Sequence, residues 1–321
     1  MKKMLNKKNI FTAIFALAVY GVLFALVQAG ALSRHFQSLL VPVGVNIILA
    51  VSLNLTVGFL GELTLGHAGF MSVGAYAGCL FTLSSTLPMA IKFPLGMLVG
   101  GLVAALFGVI IGIPALRLKG DYLAIVTLAF GEIIRSVVTN LSFTGGAGGL
   151  KKIEKASTFT IVFIVAAITV VIISNLVKSR HGRAICAIRD NVIAAESAGI
   201  NVVYYKLLAF TVAAFFAGVA GVLYGHNLGI LKPDTFDFNK SIEILVIVVL
   251  GGMGSIRGSI LSAIIVTVLP EVLRGMEDYR MLAYAIVLIV IMLLNASPRF
   301  AVLKNKLIRK SGKKAKKGEV A

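Results

Sequence analysis

The chain is poor in the residues that build soluble active sites. Cysteine occurs twice, at Cys79 in an apolar run and at Cys186 in a charged stretch, which leaves neither a disulfide framework nor a metal-ligand spacing. Histidine occurs four times, and His35, His67, His181 and His226 fall in four different segments; no cluster points to a metal site or to a nucleophile with its base. There is no GxxxxGK[ST], hence no nucleotide site of its own, and no resident cofactor is expected. Any uphill work must draw on a partner or an ion gradient. Acidic residues are scarce as well, 13 Asp and Glu against 31 Lys and Arg, for a net charge of +18. Nucleic acid is one partner for so basic a chain, but the charges lie in short segments between apolar runs and in a Lys-rich tail, which suits a membrane face better.

What the sequence has in abundance is apolar length. Of its 321 residues 58% are hydrophobic, which places it among polytopic membrane proteins. It opens with MKKMLNKK and an apolar run from Ile10 to Gln28. A signal peptide begins the same way, but this run is longer than an ordinary h-region and has no Ala-x-Ala site, so it reads as a retained first span. Further spans are expected at Leu39 to Val57, His67 to Leu83, Leu95 to Leu116, Tyr122 to Asn140, Thr158 to Leu176, Leu207 to His226, Ser241 to Leu250, Ser259 to Leu273 and Met281 to Leu294. The expectation is an all-α transmembrane bundle of about ten spans, each near the length that crosses a ~30 Å hydrocarbon core. Residues 1–9 form the N-terminus, 10–295 the membrane domain and 296–321 a basic tail. With an inside N-terminus, 21 Lys and Arg fall on the cytoplasmic side and 9 on the other, with Arg135 inside a span. This asymmetry puts both termini in the cytoplasm, although nine of the 21 belong to the tail, which can be a disordered extension.

The stretch from residue 178 to 206 is a charged island between two spans. In it Ile185, Ile188, Val192 and Ala195 recur at helical spacing, Asp190 or Asn191 can cap a short helix, and Gly199 stands where a helix would end in a left-handed residue. A short helix held outside the membrane with one apolar, small-residue face is shaped to dock in a groove of another protein.

Two glycine-rich stretches interrupt the spans, GFLGELTLGHAGFMSVGAYAG from Gly58 and VLGGMGSIRGS ending at Ser259. Close helix packing accounts for most such glycines. The first stretch also carries Glu62, Thr64 and His67, with Gly58, Gly61 and Gly66 between and Asn54 just before, so a broken helix lining a pathway stands beside the packing reading there. Glu132 lies ten residues beyond Tyr122, ~15 Å along a helix and near the midplane, with Arg135 one turn on, on the same face. They can neutralise each other, as a structural pair or beside a solute. Glu271 and Arg274 make a similar pair near a span end.

Four ordered blocks, LRLKGDYLAIVTLAFGEIIR, TGGAGGL, SRHGRAICAIRDNVIAAESAGINVVYYKLLAF and SIEILVIVVLGGMGSIRGSILSAIIVTVLPEVLR, resemble the LivM-type permease family of branched-chain amino acid ABC transporters, over about Asn46 to Leu294. The resemblance implies a non-enzymatic, type II importer-like permease in a bacterial plasma membrane. Its implied partners are a second, LivH-type permease, two cytoplasmic ATPases that bind the ATP, and an external solute-binding protein. It makes the island the ATPase-coupling loop, with Arg183, Arg189, Asp190, Ala194, Ala195, Glu196 and Gly199 as its candidate residues. The general pattern of that loop is Glu-Ala-Ala, three residues, then Gly; Ala194, Ala195 and Gly199 are in register, but Ile193 replaces the Glu and Glu196 lies inside the loop. A urea or short-chain amide permease shares the architecture. An ion-coupled secondary transporter would explain the spans and Glu132 but not a docking helix, and a membrane enzyme lacks its catalytic cluster.

Overall fold

The computed structural model describes residues 34–273 other than residue 119, and scattered positions between 18 and 29 and between 282 and 293. Residues 1–9, most of the expected first and last spans, Arg274 and the tail at 296–321 lie outside the described residues.

Among the described residues the chain forms ten α-helices and no strand; its only extended pairing is one antiparallel bridge between Leu150 and Leu231. The first helix, α1 (Arg34–Asn54), runs on into a π-helical segment, Leu55–Leu60. Then come α2 (His67–Ser84), α3 (Met89–Ala115), α4 (Asp121–Asn140) and α5 (Phe159–Lys178). The island folds into α6 (Arg180–Asp190) and α7 (Val192–Ser197), and α8 (Val202–Leu228), α9 (Phe238–Gly251) and α10 (Ile256–Val272) follow. The eight spans expected between Leu39 and Leu273 each fall on one of these helices. Among the described residues five runs are long and apolar enough to cross a membrane: Phe36–Leu60, Met89–Ala115, Asp121–Asn140, Phe159–Lys178 and Val202–Leu228.

The ends of the later helices are fixed by polar side chains. Ser179, Asn191, Asn201, Asp237 and Ser255 each accept a backbone N–H from the first turn of the helix that follows, which satisfies donors that a helix start leaves free. Inside the bundle α2 is enclosed by α3 and α8, and Gly74 of α2 meets Gly218 of α8 backbone to backbone. Small residues at such a crossing allow the close approach that dispersion rewards in a medium where the hydrophobic effect between helices is weak. On its other side α1 packs on α5, α8, α9 and α10. Tyr20 joins the bundle at the start of α5, with its hydroxyl 3.1 Å from Thr160 Oγ1 and its ring against Phe159 and Phe163.

Two departures from regular helix position the functional features. From Gly61 to Gly66 the chain is non-helical and turns back into the bundle before α2 begins. Between α8 and α9 the chain also re-enters, through Leu231, whose carbonyl receives the Tyr76 hydroxyl at 3.0 Å, and a 3-10 turn at Pro233–Phe236. In consequence α9 has 14 residues, ~21 Å of helix and short of a full span.

Candidate functional site

The site is built from three layers, beginning with the island. The periodicity that predicts one short docking helix gives two helices at an angle, because Asn191 breaks the run: its extended backbone ends α6 and its side chain caps α7 by accepting from Ala194 N at 3.0 Å. The apolar face turns inward. Ile185, Ile188 and Ala195 are buried with Val202 and Ala209 against Leu55, Phe59 and Leu60 of the π segment. This corrects the expectation that the face is free for another protein; the residues that cover it lie far away in sequence and are apolar for the same reason as any core. The outward surface carries Ile193 (76% exposed), Val203 (67%) and Tyr204, together with Ala194, Glu196, Ser197 and Gly199. Gly199 has φ +80°, a left-handed conformation that suits glycine. Arg183 is exposed, with Nη1 3.4 Å from the Lys178 carbonyl.

The second layer lies directly beneath. Arg189 donates from Nε and Nη2 to Asp190 Oδ1 at 3.0 and 2.8 Å, and from Nη1 to the Gly58 carbonyl at 3.3 Å. Lys206, the fifth residue of α8, forms an ion pair with Glu62 that leaves the two side chains 8% and 14% exposed. Gly61 is left-handed, φ +81°, and its N–H and that of Glu62 both go to the Thr56 carbonyl. The two glycine-rich stretches meet here: Asn54 accepts from Gly254 N at 2.8 Å and donates to Ser259 Oγ at 2.9 Å.

The third layer is inside the bundle, reached by the extended segment Gly61–Gly66. Thr64 is buried, Leu65 N donates to Thr127 Oγ1 at 3.0 Å, Gly66 lies against Thr127, and buried His67 places Nε2 3.0 Å from Ser52 Oγ. Ala68 N donates to Ser241 Oγ of α9 at 3.3 Å. The segment therefore meets the other re-entrant stretch in a tight crevice whose walls include Leu65, Glu132, Phe236, Asp237 and Ser241. Glu132 and Arg135 pair as expected, with Nε and Nη2 each 2.8 Å from Glu132 Oε2. Arg135 also reaches Asp234 Oδ1 at 3.4 Å. Nearby on α9 and α1, Lys240 pairs with Glu243 at 3.0 Å and lies 3.5 Å from Asn46 Oδ1, and Asn46 donates to Thr267 Oγ1 at 2.9 Å. Glu132 is eleven residues past the start of α4, ~16 Å along it, so this polar band lies well inside the apolar length. Such groups are costly in lipid and mark pathways or helix contacts.

Sequence reasoning found Glu132, Arg135 and the glycine-rich break. It missed Lys206, Asp234, Thr127 and the group around Asn46. Lys206 had a signal, a cation at the very edge of a span, where burial needs a carboxylate; the others sit in loops or as single polar residues on apolar helices and announce nothing. At the far end His226 is also clamped, Nε2 3.1 Å from Thr82 Oγ1 and Nδ1 2.7 Å from the Glu154 carbonyl, with Lys92 on Glu154 Oε1 at 2.8 Å.

An apolar helical bundle with a polar band across its middle and a polar platform outside its spans is a membrane protein of the permease class. The chain belongs to the family described as branched-chain amino acid transport system, permease component, whose model matches residues 36–295. It is 36% identical over 312 residues to the high-affinity branched-chain amino acid transport permease protein LivM of Salmonella typhimurium (86% of this chain, 72% of that protein). It is 26% identical over 280 residues to the ribose import permease protein RbsC of Haemophilus influenzae (81% and 84%). It is also 28% identical over 138 residues to LivH, the branched-chain amino acid permease protein of Salmonella typhimurium (42% and 44%). No solved structure matches.

Proposed function

We propose that this protein is one of two transmembrane subunits of an ATP-driven importer of leucine, isoleucine and valine, seated in a bacterial plasma membrane with about ten spans and both termini cytoplasmic. The subunit performs no chemistry of its own. A LivH-type permease completes the solute pathway, two ATPases dock on the island, and an external binding protein delivers the amino acid. The observation that carries this reading is the island. Two short helices are fixed on the bundle by a buried apolar face, yet expose Ile193, Val203 and Tyr204, large apolar groups that a subunit ending in solvent has no reason to present. The polar band around Glu132 and Arg135 supports a pathway function, because side chains 37% exposed at that depth require water or protein beside them.

The test is uptake by a reconstituted complex of this chain with its second permease, ATPases and binding protein, using radiolabelled leucine, ribose and urea. ATP-dependent uptake of leucine, competed by isoleucine and valine, is expected. Uptake of ribose or urea alone would assign the complex to another branch of importers, and uptake driven by an ion gradient without ATP would remove the reading. Sidedness is tested by a membrane-impermeant thiol reagent on intact cells carrying Ser197→Cys in a chain without Cys79 and Cys186. No labelling from outside is expected; labelling there would invert the topology.

A further inference from the structure

The π-helical segment Leu55–Leu60 is where the island, the glycine-rich stretches and the buried extended segment join. All six of its residues are buried. A π turn holds an extra residue per turn relative to an α turn, is rare, and is often found where function needs it. Here the consequence is a ladder displaced by one residue at its end. Gly61 N and Glu62 N both go to Thr56 O, where α geometry would send Gly61 N to Val57 O; Gly58 O, one of the last four carbonyls before left-handed Gly61, has no ladder partner and is taken by Arg189 of the island. Immediately past the segment, Glu62 is held by Lys206 from the other end of the island. Two cations of one platform, Arg189 at the end of α6 and Lys206 at the start of α8, thus grip a helix terminus in its π form.

Return to α geometry would pass Gly61 N from Thr56 O to Val57 O and turn the Gly58 carbonyl relative to Arg189. It would also shift the chain that follows by one residue, ~100° of rotation and ~1.5 Å of rise. That chain is Gly61–Gly66, which ends against Thr127 and whose Leu65 lines the crevice beside Glu132 and Ser241. Two discrete hydrogen-bond arrangements of one element are what a switch requires.

We propose that Leu55–Leu60 is a register-shifting joint, locked in the π form by Arg189 and by the Lys206–Glu62 pair, that converts movement of the island into movement of Gly61–Gly66 inside the bundle. Lys206 and Glu62 are positioning residues: they act on transport through the joint. The inference rests on the island being the seat of the ATPases.

The experiment uses the assembled complex and a Leu63→Cys reporter in a chain with Cys79 and Cys186 replaced by alanine. With the native pair, the labelling rate of the reporter by a small thiol reagent should change severalfold between the nucleotide-free complex and one trapped with ATP and vanadate. Lys206→Gln should retain the ATPases and their basal hydrolysis, abolish that change, and lower leucine imported per ATP by about fivefold or more, the lower range of coupling between sites. If Lys206→Gln does not assemble, two double variants decide. The apolar pair Glu62→Leu with Lys206→Met should assemble but stay uncoupled, and the reversed pair Glu62→Lys with Lys206→Glu should recover both assembly and coupling. Full coupling by the apolar pair, or a nucleotide-dependent label unchanged in Lys206→Gln, would mean that the pair only stabilises the fold, and would overturn the joint. Loss of the ATPases from the unmodified complex would instead overturn the seat on which it rests.

Discussion

Asn54 and Gly254 are joined by a 2.8 Å hydrogen bond from the Gly254 N–H to Asn54 Oδ1 across 200 positions of sequence. The same side chain donates to Ser259 Oγ, so one buried amide ties the end of α1 to the turn before α10 and to the first turn of that helix. Asn54→Leu leaves a partly buried N–H and a buried hydroxyl without this partner, at about 1–3 kcal/mol for an unsatisfied group. Purified in detergent, the variant should melt lower than the parent, and Asn54→Asp, which keeps the acceptor, should fall between them.

Arg135 balances two carboxylates, Glu132 and Asp234. Arg135→Ala leaves Glu132 alone at depth, at ~2.5–3.5 kcal/mol on insertion scales, and should lower the amount of assembled complex recovered from membranes. Glu132→Gln in the same chain should partly restore it. Asp234 is the more exposed acid, 79%, so Asp234→Asn alone should change recovery little. Unchanged assembly and uptake in every single variant would remove both roles of the pair.

On the island the buried and exposed faces should respond differently. Ala195→Leu overpacks a cluster that belongs to the chain itself, at ~1–3 kcal/mol, and should reduce folding yield. Ile193→Glu lies on the outer surface and should leave yield intact while removing the ATPases from co-purified complex. Gly199→Val has open space around it but a left-handed backbone to hold, ~1–3 kcal/mol, and should weaken docking by distorting the end of the platform. Retention of the ATPases in Ile193→Glu would relocate the docking surface.

His226 is clamped by Thr82 and by the Glu154 carbonyl, which pins the loop before α5 to the end of α8. Thr82→Val removes one partner of a buried ring nitrogen and should cost ~1–3 kcal/mol. Limited proteolysis near Lys151 and Lys155 should quicken; a cleavage rate like the parent's would mean that the loop is held by other contacts.

The positions of the five helices of membrane length were legible because an apolar run of that length suits a bilayer and little else, and Asn191 and Gly199 were legible as punctuation because capping is local. The Glu132–Arg135 pair was legible for the same reason, being one helical turn. What could not be read was pairing over distance. Periodicity finds the apolar face of Ile185, Ile188 and Ala195 but cannot say whether Leu55 and Phe59 or a foreign surface will cover it. Nor does hydropathy distinguish a full span from α9, whose 14 residues are completed by a re-entrant turn that looks like an ordinary loop.

The extended passage Gly61–Gly66 divides the molecule by what each part resists. Of its amides, Gly61 and Glu62 go to the Thr56 carbonyl and Leu65 to Thr127 Oγ1 with no continuous helical ladder, so it should open at lower free energy than the α2, α3 and α8 trio, and its amide hydrogen exchange should be faster than theirs. Durability and activity are then set in separate places. Mutations that tighten the trio can raise the melting temperature without slowing turnover, while any that stiffen residues 61–66 should trade turnover for it.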